Sequence, residues 1–360
     1  MDLPLVSVIV PTFNRACVVL CAIASALGQS YAATEVVVVD DGSIDDTEER
    51  VRRKFGHDSR VRYLRKANGG PASARNVGFQ EARGEYVALL DSDDTWEPWK
   101  LSLQIRSMEN HPELGMTWTD MAMIDPSGQV VDPAYLRTMY SAYRYFREDE
   151  IFPHSFPLAD IAPDLTEVVG RARLKIGNIF SKMVMGNLVH TSTVVLRRER
   201  LQRVGGFNES LRHTGEDYDF HLRTCREGPV GLLDLASIRY QQGMPDRLTA
   251  SALGVYMAEN TLRTIAPVIA HNRAAIDLPD TMIQQRLARV NAWIAREHLE
   301  RGETALARKH YLESLHHWPW QPQVVKPLLF ASLPWGTGVS LRRGLQGLRS
   351  RLFGHPSSLT

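Results

Sequence analysis

Cysteine is nearly absent from these 360 residues: Cys17, Cys21 and Cys225 are the whole complement. An odd count with no paired framework excludes a disulfide-stapled scaffold and sets the expectation of a reducing compartment. Excess charge is missing too. With 42 basic and 41 acidic side chains the formal charge is +1, which excludes the basic surface that a general nucleic-acid binder needs. No run of 18 apolar residues occurs, so no membrane-spanning helix is expected. Met1-Asp2-Leu3-Pro4 has no basic stretch before its apolar run, which stops at Pro11. No signal peptide is therefore expected, and the expected location is cytoplasmic. Two phosphate-binding signatures are also lacking. No Gly-Lys-Ser/Thr follows a glycine-rich loop, and no Gly-x-Gly-x-x-Gly follows the first strand, which weakens kinase and dehydrogenase readings. What remains, 44% apolar and 23% charged, is ordinary globular composition with length for two domains.

The first ninety residues alternate strand and helix signals. Leu5 to Val10, Val36 to Val39, Val61 to Leu64 and Tyr86 to Leu90 read as short buried strands. Helices are expected over residues 16–27, from Asp45 or Asp46 with Asp45 and Glu48 at capping-box spacing, and from Pro71 to about Ala82. That alternation predicts βαβ units and a mostly parallel sheet. Further on, Leu114 to Thr119 and Gln129 to Val131 flank a hairpin turn. Residues 133–163 are rich in aromatics without a clean period, Leu188 to Leu196 reads as a strand, and residues 217–226 read as a helix. From about residue 252 the pattern is helical. Ala292 to Leu299, Gly302 and Ala305 to Leu315 resemble one tetratricopeptide helix pair, too few to stand alone as an array. The expected domains are 1–250, with halves 1–95 and 96–250, and a helical extension over 251–360.

Chemistry collects where the strands end. Ligands of open α/β sheets bind outside the carboxyl ends of the strands, and here those ends read Pro11-Thr12-Phe13-Asn14, Asp40-Asp41-Gly42, Asn68-Gly69-Gly70 and Asp91-Ser92-Asp93. Taken singly, each is an ordinary turn; four together indicate one lined crevice. Asp91 and Asp93 offer hard oxygen ligands suited to Mg²⁺ or Mn²⁺, ions that complete their shells with substrate phosphates, so a diphosphate is the matching ligand. Gly69 and Gly70 let backbone approach an anion at a helix start. Arg75, one turn later, reads equally as a base or phosphate contact and as a surface salt bridge. Downstream, Glu216, Asp217 and Asp219 open a helix, where carboxylates also occur for electrostatic reasons alone; Asp217 is the better candidate for a positioned base.

The ordered motifs resemble the family 2 inverting glycosyltransferases. They run Ser7 to Arg15, Val38 to Ser43, Asn68 to Gly78, Tyr86 to Asp94, Val204 to Glu209, and Glu216-Asp217, covering roughly residues 4–245. The resemblance implies a GT-A fold, which is α/β and Rossmann-like, with a nucleotide-diphospho-sugar donor (a UDP-sugar favoured), a divalent cation and a hydroxyl acceptor. It places Pro11, Thr12, Asn14, Asp41, Asn68, Arg75, Asp91 and Ser92 on the donor. Asp93 would hold the metal with Asp91, and Asp217 would be the general base, with Glu216 supporting the acceptor site. The product class would be polysaccharide, glycolipid or glycan. One departure is plain: relatives carry Tyr-Arg-x-His after the base, its histidine approaching metal or diphosphate, whereas this chain reads Tyr240-Gln241-Gln242-Gly243. Gln242 substitutes, the metal site is looser, or activity is reduced. His213 and His221 read as solvated or helix-surface residues, and the other histidines lack metal spacing.

Two other classes stay open. A nucleotidyltransferase would show a glycine-rich basic loop after the first strand, and only Arg15 stands there. A catalytically weak binding module would keep the fold without the chemistry. In the tail, Leu341, Leu345, Leu348 and Leu352 fall at helical spacing beside Arg342, Arg343, Arg349 and Arg351. That pattern suits a helix packed on the domain as well as a peripheral membrane contact near a lipid-linked acceptor.

Overall fold

The computed structural model describes residues 3–125, 127–241 and 253–332. The chain divides into two compact units, Met1–Arg247 and Leu248–Thr360.

The first unit is an α/β layer structure around one sheet. Its strands are β1 (Val6–Thr12), β2 (Thr34–Asp40), β3 (Val61–Arg65), β4 (Tyr86–Leu89), β5 (Thr95–Trp96), β6 (Met116–Ile124), β7 (Val130–Asp132), β8 (His154–Pro157), β9 (Arg173–Gly177), β10 (Val195–Arg197) and β11 (Val230–Gln241). The main path is β3-β2-β1-β4-β10-β6-β11-β9-β8, with β5 against β11 and β7 against β6. Along this path β10 and β9 run against the other seven strands, so the sheet is mostly parallel. β2 is buried along its whole length, which its continuous apolar run requires. Helices α1 (Val19–Leu27), α2 (Thr47–Phe55), α3 (Pro71–Glu81), α4 (Lys100–Asn110), α5 (Arg198–Val204) and α6 (Glu216–Arg226) flank it.

Strand order fixes where a ligand can sit. From β1 the chain steps outward to β2 and β3, then returns to place β4 on the other side of β1. The β1/β4 border is therefore the switch point, with Pro11 to Asn14 and Asp91 to Asp94 leaving it on the same side. Helix α3 reaches this border because Gly78 lets it lie close on β1. A Cβ at Gly78 would come within 2.2 Å of Ile9 Cγ2, and Ile9 is fully buried. Gly78→Ala is expected to cost about 1–3 kcal/mol through overpacking, read as a lowered urea midpoint with an unchanged slope.

Three local expectations are corrected. Helix α2 has no side-chain cap; Asp45 instead accepts from Ala16 N and from Thr47 N and Oγ1, tying two loops together. The expected strand Leu188 to Leu196 is a ladder only from Val195, because Thr191–Thr193 form a 3₁₀ turn. Its carbonyls are taken by side chains: Trp96 Nε1 donates to Ser192 O at 2.9 Å and Lys100 Nζ to Thr193 O at 3.1 Å. Residues 133–163 fold as helical turns of three to five residues around β8, too short to show a period.

The second unit holds α7 (Gly254–Asn272), α8 (Asp280–Glu300), α9 (Thr304–His317) and α10 (Pro322–Ser332). Ala295, Ala307, Tyr311, Val324 and Ala331 form a core between α8, α9 and α10, and Gly302 at φ +80° makes the sharp α8–α9 turn. Among the described residues no helix is long and apolar enough to cross a membrane. Gln242 and the leucine–arginine tail lie outside the described residues.

Candidate active site

Asp41 leaves β2 fully engaged with the next loop. Its carboxylate accepts from Gly69 N at 2.9 Å, Gly70 N at 2.7 Å and Lys66 Nζ at 2.7 Å, while Asn68 Nδ2 donates to its carbonyl. Gly70 takes φ +87° to present its N–H this way as α3 begins. Asp41 thus shapes the Asn68-Gly69-Gly70 loop, a role its adjacency to Gly42 did not announce. On the β1 side, Pro11 and Thr12 close the strand, and Asn14, at φ +51°, accepts from Ile44 N through Oδ1.

Arg75 holds the centre. It is 5% exposed, with one nitrogen 2.8 Å from Asp91 and another 2.9 Å from Glu216, 141 residues away. The surface-bridge reading of Arg75 is therefore corrected: it is a buried tie between the end of β4 and the start of α6. Its guanidinium lies over Phe207, in a cluster with Phe79 and Phe220. Asn76 accepts from Phe207 N at 2.7 Å and donates to Phe207 O at 3.0 Å, clamping the Gly205-Gly206-Phe207 turn. Two distant motifs are thus one structure.

The carboxylates respond to this crowding. Burial, then Asp94 and Asp91, push Asp93 up to about 6 against the pull of Arg15, which lies 3.7 Å away. Burial raises Glu216, with Arg75 opposing. Burial also raises Asp217, opposed by its bond from Tyr218 N and by Arg75 and His190. An ionised Asp217 is consequently a stronger proton acceptor than a solvated carboxylate. Ser92 is buried between Asp91 and Asp93, and Ser192 Oγ accepts from Asp91 N at 3.0 Å.

The histidines divide differently from expectation. His213 is exposed, but His221 is fully buried, its Nε2 3.1 Å from Thr191 Oγ1, and burial followed by Arg75 presses it down to about 3. That corrects its helix-surface reading. His190, unmarked in the sequence, sits among Asp94, Tyr140 and Tyr240. Nothing in its spacing could have shown this, because the turn that carries it is made by long-range bonds. Among the described residues no group of three or more His, Cys, Asp or Glu could by itself hold a metal ion.

Glycosyl transferase family 2 matches residues 7–148, and glycosyl transferase family group 2 matches residues 86–250. An uncharacterized glycosyltransferase of Rickettsia felis is 34% identical over 231 residues, 63% of this chain and 32% of that protein. Chondroitin synthase of Pasteurella multocida is 35% identical over 133 residues, 37% of this chain and 14% of that one. The chain thus spans a third or less of the length of these two relatives. Among solved structures, S. aureus TarS 1–349 in complex with UDP-GlcNAc has a TM-score of 0.52 at 17% identity, covering 94% of this chain and 92% of that one. A longer TarS structure gives 0.55 at 20%, with 91% and 52% covered. The likeness to TarS shows the GT-A fold, and residues 7–148 and 86–250 are similar to glycosyl transferase family 2 and to glycosyl transferase family group 2 respectively.

Proposed function

We propose that the first unit transfers a sugar from a nucleotide-diphospho-sugar, a uridine nucleotide favoured, to a hydroxyl acceptor with inversion at the anomeric carbon. The observation that carries this reading is the Arg75 tie. One guanidinium holds Asp91, at the ligand-binding end of β4, and Glu216, the neighbour of Asp217. That tie supports a reading in which donor-side and base-side carboxylates serve one site at the switch point. Asp217 takes the proton of the acceptor hydroxyl, whose oxygen attacks the anomeric carbon from the face opposite the diphosphate. The bond to the diphosphate oxygen breaks with its electron pair, and a single base suffices for one inversion.

Asp91 and Asp93 would hold Mg²⁺ or Mn²⁺. Two carboxylates are the donor set of a cation that completes its shell with phosphate oxygens and water, and Asp93, raised first by burial and then by the charges of Asp94 and Asp91, is a group whose ionised form a cation would favour. Such an ion supplies charge neutralisation for the departing diphosphate. The donor class also agrees with TarS, solved with UDP-GlcNAc, and sugar-polymer acceptors agree with the chondroitin synthase relative. A lipid-linked acceptor and a peripheral position at the inner membrane face extend the same proposal through the basic tail.

The test is thermal stabilisation by UDP, GDP, dTDP and CDP with and without Mn²⁺. One diphosphate at a hundredfold excess over its dissociation constant should stabilise the protein by about 2.7 kcal/mol. Asp93→Ala should remove the Mn²⁺-dependent part. No stabilisation by any nucleotide would favour the binding module instead.

A further inference from the structure

Tyr240-Gln241-Gln242-Gly243 carries no histidine. His190 reaches the same Tyr240 from a different segment, with its ring edge-on at 5.4 Å and 88°. On its other side Nδ1 lies 3.2 Å from the Tyr140 hydroxyl. The backbone that follows is tied to the donor side through Ser192, whose hydroxyl accepts from Asp91 N and whose carbonyl accepts from Trp96 Nε1. Two aromatic neighbours and a braced turn thus fix the ring and leave Nε2 as its unspent end.

Nε2 is buried with no hydrogen-bond partner, and Asp94 Oδ2 stands 3.7 Å off, beyond hydrogen-bond distance. A bare lone pair there would face a carboxylate, so Tyr140 donating to Nδ1 and a hydrogen on Nε2 is the arrangement of lower energy. Burial lowers the basicity of the ring, but the Asp94 carboxylate first, and then Asp91 and Asp217, outweigh it and raise it. A diphosphate entering among these carboxylates meets repulsion, while the charge of Arg75 is committed to Asp91 and Glu216. Nε2 thus meets Asp94 only at ion-pair range and makes no hydrogen bond, so its hydrogen is still available to an anionic oxygen.

We propose that His190 is a donor-site residue whose Nε2–H binds an oxygen of the second phosphate of the leaving nucleoside diphosphate. This rests on the reading of the site as one for a nucleotide-diphospho-sugar. Its distinguishing consequence is selectivity for the second phosphate.

The experiment titrates the full chain, in Mn²⁺, with UDP, GDP, dTDP and CDP and with the corresponding monophosphates by calorimetry, for wild type, His190→Ala and His190→Gln. The expected result is a loss of about tenfold or more in diphosphate affinity for His190→Ala. Monophosphate affinity should change less than twofold, and His190→Gln, which keeps a donor, should recover part of the loss. Equal losses for mono- and diphosphate would make His190 a structural residue and overturn the proposal, as would no loss at all. If wild type binds no nucleoside diphosphate, the nucleotide-sugar reading itself fails, an outcome separate from any behaviour of the variants. Melting temperatures of the variants within a few degrees of wild type show that the comparison is between folded proteins, and a His190→Ala that does not fold leaves His190→Gln against wild type as the deciding pair.

Discussion

Asp217→Asn is expected to lower turnover by about 10²–10⁴-fold while nucleotide affinity stays within about twofold of wild type. The substitution keeps size and shape, and Asn Oδ1 can still accept from Tyr218 N, the bond Asp217 makes at 2.7 Å. What it removes is the ability to take a proton. Asp217 suits that task because burial raises its basicity while Arg75 and His190 keep the ionised form accessible. In the proposed mechanism its charge acts on the acceptor, so donor binding is expected to survive. Measuring nucleotide release at saturating donor and acceptor, alongside calorimetric nucleotide affinity, separates the two effects. Turnover retained within tenfold would remove Asp217 as the base, and a parallel loss of nucleotide affinity would make it a binding residue.

Arg75→Met should have the largest effect on stability, about 3–5 kcal/mol, because it leaves two carboxylates without their partner in a mostly dry site. The Glu216 side chain is 6% exposed and that of Asp91 26%, so the greater part of the cost falls on Glu216. For a unit of this size the melting temperature would fall by about 10 °C. The double substitution Arg75→Met with Glu216→Gln should recover part of that loss, since a neutral amide tolerates burial where a lone carboxylate does not. Arg75→Lys should not rescue activity, because one ammonium cannot reach both carboxylates as the planar guanidinium does. An unchanged melting temperature for Arg75→Met would show that the tie carries no weight.

The fold of the first ninety-five residues was legible because its signals are local. Short β-branched runs ended by Asp, Asn and Gly, with helices between them, leave few arrangements other than parallel βαβ units. Residues 133–200 were not legible, for a physical reason. Their helical turns are three to five residues long, and the turn at 191–193 exists because Lys100, Trp96 and Asp91 occupy its polar groups. No neighbour in sequence announces such partners. The same reason hid His190, and it made His221 look like a surface residue until Thr191 was seen beside it.

By itself the sequence determined the α/β class, the polar strand ends and the helical character of the second unit, and it singled out the carboxylates at 91, 93 and 217 as candidates, because periodicity, turn chemistry and spacing act over a few residues. The tertiary structure alone decided that Arg75 belongs between Asp91 and Glu216, that Asp41 builds the glycine loop, that Asn76 clamps the Phe207 turn, and that His190 packs against Tyr240. Each of these joins side chains at least 16 residues apart, and contacts at that separation are set by how the sheet orders its strands, which no local pattern encodes.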